Sequence, residues 1–175
     1  MKIGVIGHTQ QVDAVKDLPA RARLALAEVD LVLHVGNVGS LTFLRSLQDS
    51  FGLTFAVYGS QDLDDVKRYL EADTVVEFAN RRIGLIFEGG GDQSLRLPSL
   101  KRQTIKPETL SEHLLGKFES VDCIVFGSPV GGFNHLHHGT LIFNPGPMFD
   151  EQGESGSMGI LEITERVMTG RIILV

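Results

Sequence analysis

Tryptophan is missing from the 175 residues, tyrosine occurs twice, and Cys123 is the one cysteine. A single thiol excludes a disulfide framework. Cys123 lies inside the apolar run Cys123-Ile124-Val125-Phe126, so it reads as a small core group in a reduced compartment. No apolar run approaches the roughly 20 residues that a membrane helix needs. The opening residues, in which Lys2 leads into a short apolar run ending at Gly7, lack a small-residue cleavage site. Together these absences predict a cytoplasmic protein that neither crosses nor binds a membrane. Excess positive charge is missing as well: Lys and Arg total 16 against 22 Asp and Glu, for a net charge of -6. Nucleic-acid binding draws on clustered basic side chains, so DNA and RNA are not expected partners. The pairs Arg81-Arg82 and Lys101-Arg102 are too short to change that.

What is present fits one α/β domain over residues 1–175: a hydrophobic fraction of 42% and twenty glycines against six prolines, which suit short elements joined by tight turns. Ile3–Ile6 closes on Gly7, Leu31–Val35 on Gly36 and Phe55–Tyr58 on Gly59, with helices predicted over Pro19–Val29 and, capped by Ser40, over Ser40–Gln48. This alternation predicts a parallel sheet covered by helices. A short helix over Asp62–Leu70 precedes an antiparallel pair, Thr74–Phe78 and Arg82–Phe87, pivoting on Asn80-Arg81. Beyond an irregular glycine-rich stretch from Gly89, a helix over Glu108–Phe118, strands over Asp122–Phe126 and Leu141–Phe143, and a hairpin of Met158–Thr164 with Val167–Val175 complete the reading. Phe43, Phe51, Phe55, Phe78, Phe87 and Phe126 fall at apolar positions and are expected in the core.

In α/β sheets ligands sit beyond the carboxyl ends of the strands. The residues there are Gly7-His8-Thr9-Gln10, Gly36-Asn37, Gly59-Ser60-Gln61-Asp62, Glu88-Gly89-Gly90 and Gly127-Ser128-Pro129-Val130. His8, Asn37, Asp62 and Glu88 offer one imidazole, one amide oxygen and two carboxylates, candidates for a single cation. The plainer expectation is that His8 bonds to loop backbone and Asp62 caps the adjoining helix. His135-Leu136-His137-His138 puts His135 and His137 on one strand face at a chelating spacing, or simply on a hairpin edge. His34 is expected to be a satisfied core or near-surface histidine and His113 a solvated helix position. The opening Gly4-Val5-Ile6-Gly7 falls short of the dinucleotide fingerprint.

The opening Met1-Lys2-Ile3-Gly4-Val5-Ile6, the run Asp30-Leu31-Val32-Leu33-His34-Val35-Gly36, the strand Ile83–Phe87 and the turn Asn144-Pro145-Gly146 resemble the calcineurin-type metallophosphoesterases, in their small YfcE-like and MJ0936-like phosphodiesterase branch. That resemblance implies a four-layer αββα sandwich of two mixed sheets with helices outside, and a two-metal hydrolytic site on the strand-end loops. Carried over position by position, the family's Asp-x-His falls on His8 and Gln10, its bridging Asp on Asn37, its Asn on Ser60, and its later histidines on Glu88, Ser128 and Val130. Asp62 alone keeps its family identity. Neutral or uncharged side chains at most of these positions are poor holders of two mutually repelling cations. The reading that follows is a catalytically degenerate homologue without a metal cofactor, serving as a pseudoenzyme that binds a protein or a small polar ligand, as the family's retromer-sorting subunit is similar in principle. The alternatives are a phosphodiesterase or phosphatase with a rearranged single-metal site loaded with Mn, Zn, Ni or Mg, and a sensing module with a neutral pocket of Gln10, Asn37, Ser60 and Ser128.

Overall fold

The computed structural model describes residues 1–88, 107–128, 131–149, 152–154 and 156–175. Among the described residues ten strands form two mixed five-stranded sheets. The first contains β1 (Lys2–Ile6), β2 (Leu31–Val35), β3 (Thr54–Val57), β9 (Ser157–Ile163) and β10 (Met168–Leu174), in the order β10-β9-β1-β2-β3. The second contains β4 (Asp73–Phe78), β5 (Arg81–Phe87), β6 (Cys123–Gly127), β7 (Phe133–His137) and β8 (Thr140–Asn144), in the order β4-β5-β6-β8-β7. β1, β2 and β3 run parallel, as do β5, β6 and β8, while the outer hairpins pair antiparallel.

Side-chain alternation builds the layers. Ile3, Val5, Leu31, Leu33 and Val35 of the first sheet face Ile83, Leu85, Cys123, Val125 and Phe143 of the second, making the central core. The opposite faces take helices. α1 (Ala20–Leu26), α2 (Leu41–Phe51) and α3 (Asp64–Tyr69) cover the first sheet through Ile6, Val32 and Ile160, whereas α4 (Pro107–Leu115) lays Leu114 on Ile86, Ile124, Phe126 and Ile142 of the second. The order helix, sheet, sheet, helix is the expected four-layer sandwich. Among the described residues no helix is long and apolar enough to cross a membrane.

Local chemistry matches the sequence at several points and departs at others. Ser40 caps α2, its Oγ accepting from the Phe43 N–H at 3.1 Å. The β4–β5 hairpin pivots one residue earlier than expected, on Ala79 and Asn80, both with left-handed backbone (φ 49° and 57°), because a two-residue turn of that handedness matches strand twist. Phe43 and Phe126 are buried, but Phe51, Phe55, Phe78 and Phe87 are only half-buried and line the edges of the core. The glycine-rich stretch from Gly89 lies outside the described residues.

Candidate functional site

The carboxyl ends of β1, β2, β3, β5 and β6 converge through backbone hydrogen bonds between their loops. His8 N–H donates to the Gly36 carbonyl at 3.1 Å and Thr9 N–H to the Asn37 carbonyl at 2.9 Å. Both His8 (φ 57°) and Asn37 (φ 55°) hold left-handed backbone, a conformation that asparagine tolerates and that is sparsely used by histidine. Gly36 is left-handed too (φ 89°), and a Cβ there would collide with the Phe87 ring. Gly59 has the same steric constraint without the backbone strain: a side chain would run into the Asn37 amide.

Asp62 is the organiser of these loops. Its Oδ1 accepts from Gly39 N–H at 2.8 Å and its Oδ2 from Gly59 N–H at 2.7 Å. The carboxylate is buried, so both oxygens are committed to backbone donors. It does not cap α3, whose N-cap is Leu63; the helix begins one residue too late for that role. Asn37 is engaged similarly, its Oδ1 accepting from Gln61 N–H at 3.0 Å. The Gln10 amide donates to Gln61 at 3.1 Å, and the Ser60 carbonyl accepts from the Lys67 ammonium at 3.0 Å. Ser128 is buried just beyond β6, and Val130 lies outside the described residues.

Behind the loops, Thr9 and His34 form a buried lock. Thr9 Oγ donates to the Val38 carbonyl at 3.0 Å, which leaves it to accept from His34 Nε2–H at 2.8 Å. That assigns the Nε2–H tautomer. His34 is therefore satisfied at one nitrogen only, since its Nδ1 has no hydrogen-bond partner. Burial first, and the neighbouring His8 second, push its pKa down to about 3.

His8 and Glu88 part company. The His8 ring lies 5.4 Å from that of Phe87 between ring centroids, and its buried Nε2 has no hydrogen-bond partner, contrary to the expected bond to loop backbone. Desolvation lowers its pKa to about 4, with Asp62 pulling the other way, so the imidazole is neutral at pH 7. On β5 the side chains alternate: Ile83 and Leu85 face the central core with Phe87 next in phase, and Ile86 faces α4 with Glu88 next in phase. Glu88 accordingly lies 3.4 Å from His113 Nε2 and 3.9 Å from Lys117 Nζ, on the helix side. His113 is thus packed beside a carboxylate rather than solvated, although its buried Nε2 makes no hydrogen bond to it. His8, Asp62 and Glu88 do not assemble as a ligand set. Among the described residues the one group of three or more His, Cys, Asp or Glu side chains with donor atoms within 4.8 Å of one another is Glu112, His137 and His138.

The calcineurin-like phosphoesterase superfamily domain matches residues 1–166 of the sequence. This chain belongs to the calcineurin-like phosphoesterase superfamily. The probable metallophosphoesterase MJ0623 of Methanocaldococcus jannaschii is 30% identical over 148 residues, covering 83% of this chain and 67% of that protein. Among solved structures, protein TM1076 of Thermotoga maritima superimposes with a TM-score of 0.68 at 21% identity over 99% of both chains. Vps29 of Chaetomium thermophilum gives a TM-score of 0.70 at 17% identity over 100% of this chain and 92% of its own. A structure described as a novel archaeal phosphodiesterase gives 0.68 at 18% identity over 100% of both. At such identities these likenesses establish the phosphoesterase fold and nothing finer.

Phe87 is the residue whose part at the strand ends the sequence reading left out. It was legible as an apolar strand residue, and only the packing of β5 against β2 and β6 puts its ring beside His8, Gly36 and Gly127.

Proposed function

We propose that this phosphoesterase homologue is catalytically degenerate and acts by binding, as a scaffold for a protein or a polar small molecule, without hydrolysis of phosphate esters. The carrying observation is the use of the Asp62 carboxylate, both of whose oxygens accept from backbone N–H groups of the loops. The remaining strand-end donors reinforce it. Asn37 and Gln10 spend their amides on Gln61, Glu88 belongs to the α4 face, and a phenyl ring stands beside His8. Members of the superfamily use divalent metals, and two adjacent cations need a bridging carboxylate and several imidazoles. His8, Gln10, Asn37 and Ser60 do not offer that donor set, so no hydrolytic step is derived through a metal pair. Likeness to proteins named for vacuolar sorting alongside a phosphodiesterase supports a fold that serves both kinds of task.

Hydrolysis of bis-p-nitrophenyl phosphate with Mn²⁺, Ni²⁺, Zn²⁺ or Mg²⁺ tests this reading. The expected rate equals that of the metal blank. Turnover that disappears in both His8→Asn and Glu88→Ala would overturn it in favour of a rearranged single-metal enzyme.

One observation favours the small-ligand form of the reading over the protein-partner form. His8 Nε2 is a buried, neutral, unpartnered nitrogen, and such an atom gains when a ligand supplies its missing hydrogen bond. A thermal-shift screen with polar metabolites, repeated on His8→Asn, separates the two forms. A stabilising compound that loses its effect in the variant assigns the ligand to this position.

A further inference from the structure

On the opposite flank of the second sheet, α4 and the β7–β8 hairpin bring three more donors together. Along β7 the half-buried Phe133, His135 and His137 alternate with the exposed Asn134 and Leu136. Phe133 packs against the cluster that also holds Leu114 of α4, so the half-buried face is the one the helix covers. The sequence pairs His135 with His137, but the hairpin substitutes a different histidine. His138 and Gly139 form its turn, with φ of 48° and 85°, and this left-handed pair brings the His138 ring beside that of His137, at 4.3 Å between centroids. His135 stays further off, at 5.8 Å, and packs edge-on with Phe133.

Both neighbouring rings aim the same nitrogen at one carboxylate. His137 Nε2 lies 2.8 Å and His138 Nε2 3.3 Å from Glu112 Oε1. A tetrahedral zinc ion with bonds of about 2.1 Å separates its ligand atoms by about 3.4 Å. To reach that spacing the His137–Glu112 contact of 2.8 Å has to open by about 0.6 Å and the His138–Glu112 contact of 3.3 Å hardly at all, and all three donor atoms already lie within 4.8 Å of one another. We propose that Glu112, His137 and His138 form a zinc-type divalent-cation site that ties α4 to the edge strand β7. Two imidazoles and one carboxylate are a donor set for Zn²⁺, and they leave a coordination position open to water or to a further ligand. Binding requires each imidazole to be neutral and to present the Nε2 lone pair, with the proton on Nδ1. The bond from His137 to Glu112 is then replaced by two bonds to the ion. This site is independent of the strand-end loops, and it stands whether or not those loops support hydrolysis.

The test is a calorimetric titration of the untagged, chelator-treated full chain with Zn²⁺, with Co²⁺ absorption as a second readout of coordination. One equivalent is expected to bind with micromolar or tighter affinity and to raise the melting temperature. His137→Gln, Glu112→Gln and His138→Gln should each weaken binding by at least the roughly 10–100-fold that loss of an outer partner costs. His138 is exposed, so His138→Gln costs the fold little beyond its left-handed turn and keeps the test decisive if either other variant unfolds. His8→Asn should bind as the parent does. Saturation only at millimolar Zn²⁺, or unchanged binding in His138→Gln, overturns the proposal. Loss of binding in His8→Asn with retention in His138→Gln does so too, and moves the ion to the strand ends.

Discussion

A carboxylate that accepts two charge-assisted bonds from backbone amides contributes more to the fold than a surface acid does. Replacing Asp62 by alanine strands the Gly39 and Gly59 N–H groups in a buried place. Asp62→Ala should lower the unfolding free energy by about 3 kcal/mol, measured by urea denaturation. The two strand-end histidines give a pH signature. Their folded pKa values, about 4 for His8 and about 3 for His34, lie below the 6.5 of an unperturbed imidazole. Below pH 6.5 the unfolded chain therefore binds more protons than the folded one, and stability falls with pH. It is fully present above about pH 6.5 and is lost progressively towards pH 4, by about 1.4 kcal/mol per unit for each depressed group. His8→Asn, which suits the left-handed backbone, should flatten part of that slope in urea melts between pH 4.5 and 7. The sequence marked His8, Asn37, Asp62 and Glu88 as strand-end residues because each follows an apolar run ending near glycine. It did not reveal where their donor atoms point. For Glu88 a signal existed, since strand alternation places it in phase with Ile86 and out of phase with Phe87. For Asp62 none did, because its partners come from Gly39 and Gly59 on two different loops.

Helices and turns follow local rules that hold without tertiary context. Ser40 supplies the oxygen that accepts from Phe43 N–H, and Ser40→Ala should cost about 1 kcal/mol in urea unfolding with the strand-end site unaltered. Predicted and observed elements agree best where apolar runs are bounded by glycine, as at β1 and β2. They differ where a side chain, rather than a pattern, sets the boundary. The β4–β5 turn shifted by a residue because Ala79 accepts a left-handed conformation that its sequence does not advertise. β7 was foreseen only as a strand face or hairpin edge bearing His135 and His137, since the helix that covers it is far away in sequence.

At the scale of the whole molecule, the two sheets close to contact at their carboxyl ends. A Cβ on Gly127 of β6 would overlap the Val35 carbonyl of β2 and press on Phe87. Gly127→Ala should therefore destabilise the chain by about 3 kcal/mol, visible as a lower urea midpoint, with the damage centred on the strand-end loops. The layered architecture was legible because apolar alternation and glycine-ended strands specify which faces are covered. The distance between the sheets at one end was not, since it depends on glycines in strands separated by some ninety residues.

Cys123 carries a separate practical consequence. Its thiol lies wholly between the sheets, and burial pushes its ionisation well above the ordinary thiol range. Thiolate is the species that alkylating reagents attack. Native protein should thus be silent to Ellman's reagent while the urea-unfolded chain releases one equivalent, making labelling rate a direct clock of global opening. A cysteine introduced at an exposed position becomes the only reactive thiol, and a spectroscopic probe can be attached there with the natural residue left in place.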